Sequence, residues 1–78
     1  MATEEHGPEI ILGQQRDRCH VTREPWKIDG VRKLKVASWR PSADGGRVEI
    51  DHVILDLKAS DTEVQAAAAQ LLAACQGG

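Results

Sequence analysis

The sequence predicts an α+β fold: a small antiparallel sheet of three to four strands with one C-terminal helix packed on one face. Two observations predict it. Short apolar runs separated by turn residues extend to residue 57, and the remaining segment repeats apolar residues with the period of a helix. A chain of 78 residues makes one domain with a thin core, because such a chain buries only about 60% of its unfolded surface. We expect residues 9–78 to form this domain and residues 1–8 to be a flexible N-terminal segment.

The N-terminal part of the domain predicts two strands. Residues 9–12 are a brief apolar run, and residues 16–23 alternate charged side chains with Cys and Val. A single strand over residues 9–22, bent at Gly13, is the alternative. Pro25 has no N–H to donate to a neighbouring strand, so we expect the pairing to break there.

A hairpin and a returning strand follow. Asp29 and Gly30 lie between apolar residues, which is a strong hairpin signal. Residues 31–39 then form a strand, and residues 41–46, rich in Pro, Asp and Gly, form a loop. The next strand, residues 48–57, is the most apolar run outside the helix. We expect it to be the central strand of the sheet.

The predicted central strand changes character along its length. Successive side chains of a strand point to opposite faces, and apolar residues alternate with acidic ones in its first half. From residue 53 to residue 57 both alternating sets are apolar, as in a strand covered on both faces. One helix covers one face. The other face therefore needs the N-terminal segment, a partner, or a bulge near His52 that exchanges the two faces.

The register between the last two strands is predicted from their apolar and charged residues. Pairing positions whose numbers add to 84 places Leu34 opposite Ile50 and Lys35 opposite Glu49. A slip of one residue would set Lys against Ile on the core face, so the apolar set decides the parity. Opposite charges across a strand pair contribute only about 0.2–1 kcal/mol. They therefore only favour one register among those that keep the same side chains on the core face.

The C-terminal segment predicts an amphipathic helix. Ser60 and Glu63 have the spacing of a capping box, in which the Ser60 hydroxyl accepts a hydrogen bond from the Glu63 N–H. One apolar stripe then follows with helical spacing. It consists of Val64, Ala67, Ala68, Leu71, Leu72 and Cys75.

The two cysteines predict neither a metal site nor a catalytic site. Without CxxC spacing, a cytoplasmic protein with two reduced thiols is the default, and a disulfide between Cys19 and Cys75 is the alternative. A metal centre would need Cys19, His52 and Cys75 to converge from three elements, and small buried core residues are the simpler interpretation. A thiol nucleophile is not favoured, because adjacent Cys19 and His20 point to opposite faces of a strand and Cys75 lies on the apolar stripe of the helix. We expect no enzyme, cofactor, metal or small-molecule substrate. No apolar run reaches the roughly 18 residues of a membrane span, and the acidic N-terminus lacks a secretory signal.

The charge distribution predicts nucleic-acid binding as the alternative function. The chain has a net charge of −2, but residues 16–47 contain nine basic and four acidic residues. This basic 16–47 face also contains both tryptophans, which could stack on bases. A solvated face of mixed charge is the competing interpretation. The basic residues predicted to contact phosphate are Arg16, Arg18, Arg23, Lys27, Arg32, Lys33, Lys35 and Arg40.

A protein-binding surface is the leading functional prediction. Trp and Arg dominate the energetics of protein interfaces, and both tryptophans lie at predicted element ends beside basic residues. We expect a small non-enzymatic module, such as a compact inhibitor or adaptor that docks on another protein or on a copy of itself. A phage- or plasmid-encoded antagonist of a host complex would suit this size. The residues predicted for the surface are Trp26, Trp39, Arg40, Val53, Leu55 and Leu57.

Overall fold

The computed structural model describes residues 4–6, 9–15 and 19–77, and it confirms the α+β class. The strands β1 and β2 follow one another along the same edge of β3, so the antiparallel sheet is four strands wide, with β3 and β4 at its centre. The helix α1 packs on one face, which we call the covered face; the opposite face is the open face. The elements are β1 Glu4–His6, β2 Ile10–Gln15, β3 Cys19–Ile28, β4 Val31–Pro41, β5 Arg47–Asp56 and α1 Asp61–Gly77.

The N-terminal strands form one edge of the sheet. Residues 4–6, which belong to the segment expected to be flexible, pair with residues 26–28 of β3. The rest of that segment lies outside the described residues, as do residues 16–18 at the start of the predicted second strand. Residues 10–12 of the predicted run belong to β2, which ends at Gln15 and contains a bulge before Gly13.

The predicted break at Pro25 is wrong, because β3 runs through Pro25 to Ile28. The pairing of β2 with β3 ends at Arg23, and the pairing of β1 with β3 begins at Trp26. Pro25 therefore lies between the two edge ladders, where the absence of an N–H does not interrupt either of them.

The predicted turn at Asp29 and Gly30 is confirmed. Both residues have positive φ, 51° and 82°, as a type I′ turn requires, and Ile28 pairs with Val31 across it. The predicted loop between β4 and β5 is also present. It is closed by a 3.0 Å hydrogen bond from the Ser42 N–H to the carbonyl of Gly46.

The prediction that residues 48–57 form the central strand is wrong. In the part of the chain that the structure describes, β5 pairs with β4 alone and is an edge strand. The strand contains a bulge: Ser38 pairs with Asp51, Trp39 pairs with Glu49, and Ile50 is the extra residue. The bulge exchanges the two faces of β5, which is one of the three alternatives raised by its apolar pattern. Val53 accordingly packs against the core, and no partner is needed to explain its apolar character.

The predicted register between β4 and β5 is also wrong. Leu34 pairs with Leu55 and Lys35 pairs with Ile54, so the shift from the predicted register is five residues. An odd shift reverses which face of β5 meets the core. In the observed register Val53 and Leu55 pack against the core, and Val48 and Ile50 stay exposed.

The core lies between the covered face and α1. The predicted helix is confirmed, and the Ser60 hydroxyl accepts a 3.2 Å hydrogen bond from the Glu63 N–H. Five of the six residues in the predicted stripe are buried, and Leu72 is half-buried. Among the described residues, no helix has the length and apolarity needed to cross a membrane. The central cluster consists of Val21, Leu34, Val36, Val64, Ala68 and Leu71.

The two cysteines form a disulfide, so the expectation of reduced thiols is wrong. The first residue of β3, Cys19, lies beneath the last turns of α1, and its Cα atom is 6.3 Å from that of Cys75. Arg40 strengthens the same end of the helix, because its Nη2 donates a 2.6 Å hydrogen bond to the carbonyl of Cys75. The disulfide joins residues that are 56 positions apart in the sequence, and only the folded topology brings them together.

Candidate functional site

Both tryptophans lie on the open face, on neighbouring strands. Trp26 of β3 pairs with Lys33, and Trp39 of β4 pairs with His20. The Trp39 indole N–H donates a 2.9 Å hydrogen bond to the hydroxyl of buried Thr22, which sets the orientation of the ring. The open face therefore presents two half-exposed aromatic side chains on a rigid sheet.

Three basic or imidazole side chains surround the Trp39 ring. The guanidinium of Arg47 lies 3.8 Å from the ring centroid, and the Lys35 ammonium lies 5.9 Å from it. The His20 ring is stacked nearby, with centroids 6.4 Å apart and planes 16° apart. A cation above an indole face is attracted by the ring quadrupole, so these contacts hold the side chains in place.

Lys35 connects the two tryptophans and an acidic residue. Its ammonium is 5.3 Å from the Trp26 centroid and 2.6 Å from Glu49 Oε1. The other carboxylate oxygen of Glu49 lies 3.4 Å from His52 Nδ1. The side chains form a continuous network across β3, β4 and β5, in which Lys35 is neutralised by Glu49.

A second ion pair crosses the open face. Arg47 donates two hydrogen bonds to Glu9, at 2.8 Å and 2.6 Å, and its Nη1 is 3.2 Å from His20 Nε2. These hydrogen bonds hold the pKa of the Glu9 carboxyl below its usual value and raise the pKa of Arg47. Burial, and secondly the charge of Arg47, lower the pKa of His20. The pair joins the residue before β2 to the first residue of β5.

The basic residues predicted to contact phosphate do not share one face. Arg23 pairs with Val36, a core residue, and therefore lies on the covered face. Lys27, Arg32 and Arg40 lie on the covered face as well, while Lys33 and Lys35 lie on the open face. Arg16 and Arg18 lie outside the described residues.

The residues predicted for protein binding are also divided. Trp26 and Trp39 lie on the open face, whereas Val53 and Leu55 are half-buried against the core. Leu57 is 42% exposed in the turn after β5. Arg40, the sixth residue, donates a hydrogen bond to the end of α1. The structure brings only the two tryptophans together on one solvated surface.

Sequence reasoning missed the network around the tryptophans, although part of it was predictable. A two-residue turn at residues 29–30 sets pairs whose numbers add to 59. That register alone places Trp26, Lys35 and Trp39 on one face. The contacts of Arg47 carried no such signal, because its partner lies 38 positions away on the opposite edge.

The free side of β5 is the second exposed feature. The strand pairs only with β4 in the described ranges, and it exposes three large apolar side chains. Val48 is 52% exposed, Ile50 44% and Ile54 38%. His52 and Asp56 are exposed beside Ile54 on the open face. At the two ends of this stretch, the His52 N–H donates a 2.8 Å hydrogen bond to Asp51 Oδ1, and the Asp56 carbonyl accepts one of 2.9 Å from the Ala59 N–H. This edge therefore combines apolar side chains with a backbone that has no neighbouring strand among the described residues.

Comparison with models of protein families, with curated proteins and with solved structures finds no match to this chain. Within the described residues, no group of three His, Cys, Asp or Glu side chains is placed to hold a metal ion.

Proposed function

We propose that this protein is a small non-enzymatic binding module that docks on another protein or on a copy of itself. The observation that supports the proposal is the exposed edge of β5, which is ten residues long. Unpaired N–H and C=O groups of an edge strand are a template for pairing with another chain. Addition of a strand uses main-chain hydrogen bonds for affinity and alternate side chains for specificity.

The side chains along β5 favour docking over an edge that is protected from association. Natural edges are protected by charged side chains, proline or a bulge, and β5 has a bulge at Ile50. In β5 the stretch from His52 to Asp56 has neither proline nor lysine, and Ile54 lies at its middle. A strand added there would extend the open face next to the network around Trp39.

The test compares binding by matched lysine variants of the full chain. Ile54→Lys puts a charge on the docking edge, and Gln65→Lys puts the same charge on the exposed side of α1. Proteins that co-purify from the source cells are compared for the two variants and the parent chain. We expect at least one partner to be lost with Ile54→Lys and kept with Gln65→Lys. Equal capture by both variants would show that β5 is not the docking edge.

Nucleic-acid binding by the open face is the second candidate, favoured by Trp26 and Trp39 lying on one face with Lys33 and Lys35. Stacking on such rings binds bases without regard to sequence. Lys35 is paired with Glu49, and Arg47 is paired with Glu9. These ion pairs reduce the positive charge that is available to phosphate. Quenching of tryptophan fluorescence by a single-stranded oligonucleotide decides the matter. Binding should fall steeply with salt, and no quenching at about 50 mM salt removes this candidate.

A further inference from the structure

The part of β5 that follows its bulge is self-complementary. His52, Ile54 and Asp56 lie on the open face, opposite Ala37, Lys35 and Lys33 of β4. Their spacing places a base and an acid at equal distances on either side of a central isoleucine. Between them, Val53 and Leu55 lie on the covered face and are half-buried.

We propose that the free edge of β5 pairs antiparallel with β5 of a second copy of this chain, with Ile54 of each copy on the two-fold axis. The proposal rests on the docking function and names its occupant. In this register His52 of each copy lies opposite Asp56 of the other, so each imidazole faces a carboxylate. Val53 lies opposite Leu55 twice on the other face. Cross-strand pairs of these kinds stabilise a sheet.

Neighbouring registers lose this complementarity. A shift of one residue sets covered-face side chains against open-face ones, which buried faces do not tolerate. Centring the pairing on Val53 sets His52 against Ile54 and Asp51 against Leu55. Centring it on Leu55 sets Ile54 against Asp56 and separates His52 from Asp56 of the other copy. The chain thus specifies one register by both its apolar and its charged positions.

The geometry of the pair predicts its strength and shape. Directly opposed residues of antiparallel strands point to the same side, so the two open faces become one continuous face. The bulge at Ile50 twists the strand and confines regular pairing to the stretch after it. An interface this short is below the size of stable dimers, so the association is weak and depends on concentration.

A charge exchange tests the register. Sedimentation of the full chain is followed from about 5 µM to about 500 µM, a range that brackets weak affinities. His52→Asp and Asp56→His each set like groups opposite one another twice and should weaken association about tenfold. The double variant exchanges the two residues and should recover the dimer. Thermal unfolding of each variant confirms that the monomer is folded.

Cross-linking tests whether Ile54 of each copy lies at the two-fold axis. Ile54→Cys brings two thiols together across the axis, within the distance that a disulfide spans. Ala43→Cys, in the exposed loop before β5, is the matched control. Mild oxidation should yield a covalent dimer of Ile54→Cys and leave Ala43→Cys monomeric. Equal cross-linking of both variants would contradict the proposal.

The outcomes separate this inference from the docking function. A chain that stays monomeric throughout the concentration range, with no selective cross-linking at Ile54, overturns the second copy as occupant. If Ile54→Lys nevertheless loses a captured protein that Gln65→Lys keeps, the docking function stands and its occupant is a different protein. If neither experiment responds to Ile54, both proposals fail.

Discussion

The two faces of the sheet are built by different interactions. On the covered face, apolar side chains such as Val36 and Leu71 are almost fully buried beneath α1. On the open face, Trp39, Lys35 and Arg47 are held by ring contacts and ion pairs and stay half-exposed or exposed. Burial stabilises the fold, whereas the exposed network organises a surface at small cost or gain in stability. Substitutions on the covered face should therefore lower the free energy of unfolding several times more than substitutions on the open face.

The largest expected effect is removal of the disulfide that anchors the helix to the covered face. The double variant Cys19→Ala, Cys75→Ala releases a closed loop with a sequence separation of 56. The free energy of unfolding should fall by about 4 kcal/mol, because the unfolded chain regains the entropy of that loop. Urea denaturation of the variant and of the reduced parent chain measures it. A fall below about 1 kcal/mol would show that the helix is held by packing alone.

The next effect is truncation in the core. Leu71→Ala should lower the free energy of unfolding by about 3 kcal/mol, since it leaves a cavity between α1 and the sheet. Gln70→Ala is the control on the exposed side of the same helix turn and should change it by less than about 0.5 kcal/mol. Similar midpoints for the two variants in urea would contradict the buried position of Leu71.

A smaller effect is expected for the hydrogen bond beneath the open face. Trp39→Phe keeps an aromatic ring beside Arg47 but loses the donor to Thr22. A double-mutant cycle with Thr22→Val should give a coupling energy of about 1 kcal/mol, typical of one hydrogen bond. Additive effects of the two substitutions would show that the bond does not set the position of the indole.

The ion pair of Glu9 with Arg47 predicts a pH dependence. Because the pKa of Glu9 is lowered in the folded state, its contribution is present above its usual pKa. It is lost as the pH falls below that usual pKa and through the lower folded value. Glu9→Gln should flatten that loss, with a cost below about 1 kcal/mol at neutral pH. Burial lowers the pKa of His20, so the folded state favours its neutral form. Its contribution to stability is lost at a higher pH than that of Glu9, as the pH falls below about 6.5. Thermal unfolding as a function of pH separates the two, and an unchanged profile for Glu9→Gln would contradict the pair.

The smallest effect is expected for Lys35 and Glu49. The pair is partly exposed, with side-chain exposures of 15% and 30%. A cycle with Lys35→Met and Glu49→Gln should give a coupling below about 1 kcal/mol. The coupling should shrink further at about 1 M salt, where screening is strong. A salt-independent coupling of several kcal/mol would mean that the open face contributes to folding as the covered face does.

The features that could be predicted from the sequence are local ones. The turn at Asp29 and Gly30, the cap at Ser60 and the apolar stripe of α1 each depend on residues a few positions apart. Their backbone preferences act before any distant contact forms. The α+β class follows from the same local patterns.

The position of each strand in the sheet was decided by the tertiary structure. Residues 48–57 were predicted to be central because they are apolar, but an edge strand that supplies Val53 and Leu55 to one core is equally apolar. Pro25 continues β3 because two short strands meet beside it. The bulge at Ile50 then exchanges the faces that alternation alone would assign.

By itself, the sequence determined the class of the fold, the hairpin and the helix. Trp26 and Trp39 share a face because β3 continues through Pro25, which the sequence pattern did not predict. Only the tertiary structure decided that Cys19 meets Cys75 and that Arg47 reaches Glu9. Contacts over 38 to 56 positions depend on which strands pair and in what order. Many arrangements satisfy the same alternation of apolar and polar residues, and the one with the best total packing is selected when the whole chain folds.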